Sequence, residues 1–255
     1  MLRWRHRSLE RSLPKAVKVS SRDPFSPFAP FDPVFKERVP LVFLFQTALA
    51  NLQFWQRGGP APFARRIQAI EPPAVWYAAE CGVYQGHALI ALGMLARESG
   101  LPVHLYGLDT FEGLPELSQT DLELLPADSG CRDRVLFADT SLDSVQRRID
   151  EKGLTQYITL VQGRFEDTLR MLPERRFFFV SIDCDLYRAH LTCLEYFYDR
   201  MIPGGIIYLD DYDSVEFPAA RRAIDKFMED RQERLFHLRY GEEGKNHTKA
   251  FVVKF

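Results

Sequence analysis

The stretch RRFFFVSIDCDLY, Arg175 to Tyr187, leads from two arginines through a near-continuous apolar run into two carboxylates one residue apart. A run of this length and richness suits a strand covered on both faces, as in a parallel sheet. Asp183 and Asp185, spaced i, i+2, point the same way if the chain stays extended. Two negative charges on one face need a cation or a proton between them.

Working outward, the same pattern recurs. VWYAAECGV (75–83), VHLYGLD (103–109), YITLVQG (157–163) and GIIYLDD (205–211) are further apolar runs, separated by stretches long enough for helices. The clearest of these is PAARRAIDKFMEDR (218–231), with Ala220, Ala223, Ile224, Phe227 and Met228 on one helical face and Pro218 near its start. Strands alternating with helices imply a parallel α/β sheet with helices on both faces. The chain then ends in RLFHLRYG (234–241) and KAFVVKF (249–255), joined only by the polar EEGKNHT, so these two form an antiparallel hairpin at the sheet edge. The expectation is a mostly parallel seven-stranded sheet.

At 255 residues and 46% hydrophobic composition the chain buries one full core, and 33 basic against 35 acidic residues leave no field that would attract nucleic acid. Cys81, Cys131, Cys184 and Cys193 show neither a CxxC pair nor a zinc spacing, which suits reduced thiols and a cytoplasmic location. The basic start of the chain lacks the apolar run of a signal peptide, and VPLVFLFQTALANLQFW (39–55) carries Gln46, Asn51 and Gln53 and falls short of a membrane span. Between Arg22 and Pro40 prolines alternate with phenylalanines, which excludes regular helix. Residues 1–70 are therefore expected to form an N-terminal strap and helical lid, closing over the site or a partner subunit of a homo-oligomer, and residues 71–255 the main domain.

Ligands of open α/β sheets bind at the carboxyl ends of the strands. There the first strand turns through Gly82 and Gly86 into a helix, the second ends at Asp109, and the third ends at Gly163 with Phe165 following. Glycines admit a tight turn and a ligand close to the backbone, a strand-end carboxylate accepts ribose hydroxyls, and Phe165 offers a flat surface to a purine. Each also has a plain reading, as an unliganded turn, a loop Asp or a core aromatic. The helix opens with His87, and no third glycine completes the nicotinamide fingerprint. Asp183, Asp185, Asp210 and Asp211 reach the same rim, and oxygen-only ligands suit Mg²⁺.

The segments AECGVYQG, GLDTFEGLP, GRFEDTL, SIDCDLY and MIPGGIIYLDDYDSVEFPAARRAIDKF together resemble the macrocin O-methyltransferase family, over roughly residues 75–230. The resemblance implies a Rossmann-like class I methyltransferase fold and an S-adenosylmethionine- and Mg²⁺-dependent O-methylation of a hydroxyl on a small-molecule acceptor, a vicinal diol such as a natural-product sugar. It places metal ligands on Asp183, Asp210 and Asp211. With the strand-end turns, it gives a cofactor-binding set of Glu80, Gly82, Tyr84, Gly86, Asp109, Thr110, Gly163, Phe165, Glu166 and Asp183. His87 stands where the family commonly has a second glycine.

A vicinal diol chelating one ion is oriented and acidified together. Catechol-type relatives carry a Lys three residues after the first metal Asp; that position is Leu186 here. His237 and His247, with Asp183 beside them, are the catalytic candidates, and His190 falls inside an expected helix. Asp185 is expected to support the metal shell through hydrogen bonds. Two other readings start from the same residues: a DxD glycosyltransferase using Asp183 and Asp185, and a non-catalytic small-molecule binding protein of this fold.

Overall fold

The computed structural model describes residues 39–56, 74–126, 129, 135–240 and 247–255, without the side chains of Tyr240 and His247. The Pro/Phe strap up to Arg38, the RGGPAPF break and Cys131 lie outside the described residues, and Val39 and Pro40 already belong to a helix. Five parallel strands, β1 (Trp76–Cys81), β2 (Val103–Asp109), β3 (Ile158–Gln162), β4 (Phe177–Ile182) and β5 (Met201–Leu209), are joined by β6 (Leu235–Tyr240) and β7 (His247–Val253) in the order β3-β2-β1-β4-β5-β7-β6. The pairs β5·β7 and β6·β7 are antiparallel. The hairpin thus joins the sheet by its second strand, leaving β6 at the edge.

Burial follows position in the sheet. Every residue of central β4, Phe-Phe-Phe-Val-Ser-Ile, is buried, whereas in edge strand β3 only Ile158 is fully buried. On one face Ala79, Cys81, Val180, Ile182, Ile207 and Leu209 pack under α6 (Tyr187–Phe197) and α7 (Pro218–Met228). Pro218 sits in the first turn of α7, where its missing N–H costs nothing, and Ala220, Ala223, Ile224 and Phe227 form its buried stripe.

The opposite face carries α1 (Val39–Gln56) and α2 (His87–Ser99). Phe45 of α1 lies against the rings of Phe178 and Phe179 of β4 at 5.7 and 5.0 Å, and Gln53 donates to the carbonyl of Ser99. Residues 39–56, the helical part of that N-terminal segment, are thus packed on the sheet. The 39–55 helix belongs with the sheet in one unit spanning Arg38–Phe255, with Leu41, Phe45 and Leu49 buried. No helix among the described residues is long and apolar enough to cross a membrane.

At the opposite end of the sheet from the strand-end turns, Glu233 is 9% exposed, accepts a hydrogen bond from the Tyr198 hydroxyl and pairs with the Lys254 ammonium at 2.7 Å. Burial pushes its carboxyl up, but the bonds from Lys254 and Tyr198 outweigh burial and bring it down to about 2. The folded state holds this charge more tightly than the unfolded state. The resulting stability is complete above the ordinary carboxyl range and is lost as pH falls toward 2. Glu233→Gln is therefore expected to lower the melting temperature near neutral pH, with the gap to the parent chain closing on acidification. A gap independent of pH in thermal melts would assign Glu233 a packing role alone.

Candidate active site

The carboxyl ends of β1, β4 and β5 converge on one rim. At the end of β1 the backbone of Gly82, at φ 91°, passes so close to β4 that a Cβ there would fall 1.7 Å from the carbonyl oxygen of Asp183. No side chain fits, so Gly82 fixes where Asp183 stands. Gly82→Ala is expected to displace the ends of β1 and β4, weakening S-adenosylhomocysteine and metal binding together; calorimetry showing both intact would refute this coupling.

Beyond Gly82 the chain turns through Tyr84, itself at φ 49°, to Gly86, the N-cap of α2 at φ 82°. The turn is built by Asp109. Its Oδ2 accepts the backbone N–H groups of Val83 and Tyr84 at 2.7 and 2.8 Å, and its Oδ1 accepts that of Phe111 at 2.8 Å. Thr110 donates its hydroxyl to the carbonyl of Gly113. The carboxylate expected to meet ribose hydroxyls is thus largely engaged in holding the β1–α2 turn. The Tyr84 hydroxyl donates to Asp139, whose segment also binds the Tyr84 carbonyl through Thr140. His87 meets Arg148 of helix α4 (Leu142–Glu151), which follows the short α3 (Gln119–Leu124); Nε2 to Nη1 is 3.2 Å, and Arg148 also donates to the carbonyl of Gln85.

Glu80 lies at the same level as Gly107 and Ser181 and is 1% exposed. Gly163, at φ 140°, donates its N–H to the carbonyl of Asp109, tying β3 to β2. Phe165, which opens the short helix α5 (Phe165–Thr168), packs against the core cluster, and Glu166 pairs with Arg188 at 3.2 Å.

Asp183, Asp210 and Asp211 come together: one carboxylate oxygen from each lies within 4.8 Å of the other two. Asp210 and Asp211 open a tight turn, Asp210–Asp213, directly after β5. Asp211 is 6% exposed, and burial, then the neighbouring charges of Asp183 and Asp210, push its carboxyl well up. Its Oδ2 accepts the backbone N–H of Asp185 at 3.0 Å and lies 3.6 Å from His190 Nε2. His190 is wholly buried, which brings its imidazole down to about 4, and its Nδ1 meets the Leu186 carbonyl. Its ring lies behind Asp211 in the core, at a distance beyond a hydrogen bond. Three hard oxygen donors at this spacing, one of them, Asp211, disfavoured as a charge by its burial and its neighbours, fit a divalent cation such as Mg²⁺.

The i, i+2 geometry expected of Asp183 and Asp185 does not hold. β4 ends at Ile182, and Asp185 takes φ 60°, so the chain has left the extended state before the second carboxylate. Asp185 reaches the cluster through its backbone amide instead. His237 lies in the exposed edge strand β6, two strands from β5, its ring 4.9 Å from that of Tyr212 rather than on the carboxylates. His247 opens β7, and its side chain is outside the described residues. Two residues that sequence reasoning missed complete the cluster: the Tyr208 hydroxyl donates to Asp210 Oδ1 at 2.8 Å, and the Lys249 ammonium lies 2.5 Å from Asp210 Oδ2. Aligning the terminal strand with β5 would have found Lys249, because Leu209 pairs with Ala250.

Sheet order, strand-end turn and carboxylate cluster together define a class I methyltransferase type of domain. Residues 76–235 match the family described as Macrocin-O-methyltransferase (TylF), and the chain belongs to it. Among curated proteins it is 30% identical over 156 residues to mycinamicin III 3''-O-methyltransferase of Micromonospora griseorubida, a match spanning 59% of each chain. It is also 30% identical over 142 residues to 8-demethyl-8-(2,3-dimethoxy-alpha-L-rhamnosyl)-tetracenomycin-C 4'-O-methyltransferase of Streptomyces olivaceus, 52% of this chain and 51% of that one. The chain thus spans little more than half the length of these relatives. Its fold resembles those of the O-methyltransferase NovP (TM-score 0.59, 20% identity, 75% of this chain and 76% of that one) and the calicheamicin methyltransferase CalS11 (TM-score 0.60, 20% identity, 92% and 87%).

Proposed function

We propose that the protein is an S-adenosylmethionine-dependent, Mg²⁺-dependent O-methyltransferase acting on a hydroxyl of a small molecule, with a sugar bearing a vicinal diol as the acceptor class. The observation that carries this is the meeting of Asp183, Asp210 and Asp211 beside the Gly82 turn, in a chain of this family. The relatives named as 3''- and 4'-O-methyltransferases, the second for a rhamnosyl-bearing compound, support the acceptor class.

The roles follow from placement. The β1–α2 turn with buried Glu80 and the ends of β2 and β3 would hold the cofactor, and the three aspartates would hold the ion. A divalent ion there would supply Lewis-acid polarisation of an acceptor hydroxyl. S-adenosylmethionine, when bound, would supply the methyl group from its sulfonium, sulfur keeping the electron pair of the carbon–sulfur bond as the acceptor oxygen takes the carbon and gives up its proton to water. The chain's share is orientation: Gly82 sets the spacing between cofactor turn and Asp183, and Tyr208 and the Asp185 amide fix the carboxylates.

A DxD glycosyltransferase leaves the Asp109-built turn and the Asp210/Asp211 pair without a task. Calorimetric titration with S-adenosylhomocysteine, UDP and GDP separates the readings. S-adenosylhomocysteine alone is expected to bind; binding of a nucleoside diphosphate alone would overturn the proposal.

A further inference from the structure

We propose that Lys249 is a built-in counter-cation of the carboxylate cluster, holding Asp210 in the metal-free chain and yielding it to a divalent ion, so that it weakens and tunes metal affinity. This rests on reading the cluster as a metal site. Strand β7 runs antiparallel to β5 with Ala250 opposite Leu209, which sets Lys249 beside Asp210 at the rim. The ammonium lies 2.5 Å from Asp210 Oδ2, with the two side chains 17% and 12% exposed.

Both oxygens of Asp210 are therefore engaged by donors of the chain itself, Oδ1 by the Tyr208 hydroxyl and Oδ2 by Lys249. The two donors differ in what an arriving dication does to them. A neutral hydroxyl can keep its hydrogen bond to one oxygen while the other ligates, whereas an ammonium on the cluster repels a second cation and competes for the same lone pairs. Exposed ion pairs contribute little, but this one is mostly withdrawn from water and faces carboxylates gathered within 4.8 Å. In the metal-free chain Lys249 offsets part of their mutual repulsion. Once an ion is bound, that service becomes a penalty.

The test uses the full chain and Mn²⁺ as probe, with affinity read by electron paramagnetic resonance of the free ion. Lys249→Gln and Lys249→Met are expected to bind Mn²⁺ about tenfold more tightly than the parent chain, since a unit charge within a few ångströms of a dication is only partly screened. Their metal-free melting temperatures are expected to fall and Mn²⁺ to raise them by more than in the parent. Lys249→Arg, which keeps the charge, should restore parental affinity. S-adenosylhomocysteine calorimetry checks that the fold is intact; if a neutral variant fails to fold without metal, the same comparison is made by chelator competition on protein purified with Mn²⁺. Unchanged or weaker Mn²⁺ binding in the neutral variants overturns the proposal, as a merely structural lysine would give. Absence of Mn²⁺ binding to every variant, the parent included, overturns the metal reading along with it.

Discussion

Asp210→Asn is expected to lower methyl transfer by roughly three orders of magnitude and to leave S-adenosylhomocysteine affinity within about threefold. The amide keeps the shape of the carboxylate and still accepts from the Tyr208 hydroxyl, so the turn after β5 is preserved. It removes the charge that Asp210 brings to the cluster and breaks its pair with Lys249. Asp183→Asn should behave alike for turnover. Excess Mg²⁺ should rescue neither. Cofactor affinity collapsing together with turnover would show instead that the cluster shapes the cofactor pocket.

The second large effect belongs to Asp109. Removing its carboxylate strips acceptors from the N–H groups of Val83, Tyr84 and Phe111 at once, and two of these residues, Tyr84 and Phe111, hold left-handed backbone angles that such bonds sustain. Asp109→Ala is expected to weaken S-adenosylhomocysteine binding at least about tenfold, since each charge-assisted bond lost is worth on the order of a kcal/mol or more. The cause can be separated from a ribose contact. If Asp109 acts by building the turn, a 2'-deoxy analogue loses the same factor of affinity in parent and variant; if it acts on the ribose, the analogue's deficit vanishes in Asp109→Ala.

The sheet was legible because its central strands are buried on both faces and so read as apolar runs bounded by polar turns, and because the short polar link EEGKNHT cannot hold a crossover helix between β6 and β7. The helix α7 was legible from Pro218 and its alanine stripe. What sequence could not show was where strands stop. Asp183 and Asp185 look paired at a period of two, but the chain leaves the strand after Ile182 and Asp185 turns left-handed, which leaves no mark in a pattern of side-chain types. The use of Asp109 was likewise hidden, because a strand-end carboxylate can face a ligand or its own turn with the same spacing.

The apolar Val39–Trp55 segment was visible as a helix, but its place on β4 depends on Phe45 meeting Phe178 and Phe179, contacts far apart in the chain. Lys249 was missed for a related reason. One lysine at the start of a terminal strand means nothing until antiparallel pairing sets it next to Asp210. Register, more than composition, separated the visible from the hidden part of the site.

Methyl transfer to a sugar hydroxyl at this rim, as proposed, needs the S-adenosylmethionine turn and the divalent-metal cluster to act together. The deciding measurement is transfer of a labelled methyl group from S-adenosylmethionine to a panel of glycosides, with and without a vicinal diol, in Mg²⁺ and in EDTA. Transfer confined to diol-bearing sugars, abolished by EDTA and restored by Mg²⁺, is the result expected. Undiminished transfer in EDTA would contradict the mechanism and make this a methyltransferase whose three aspartates serve some other purpose.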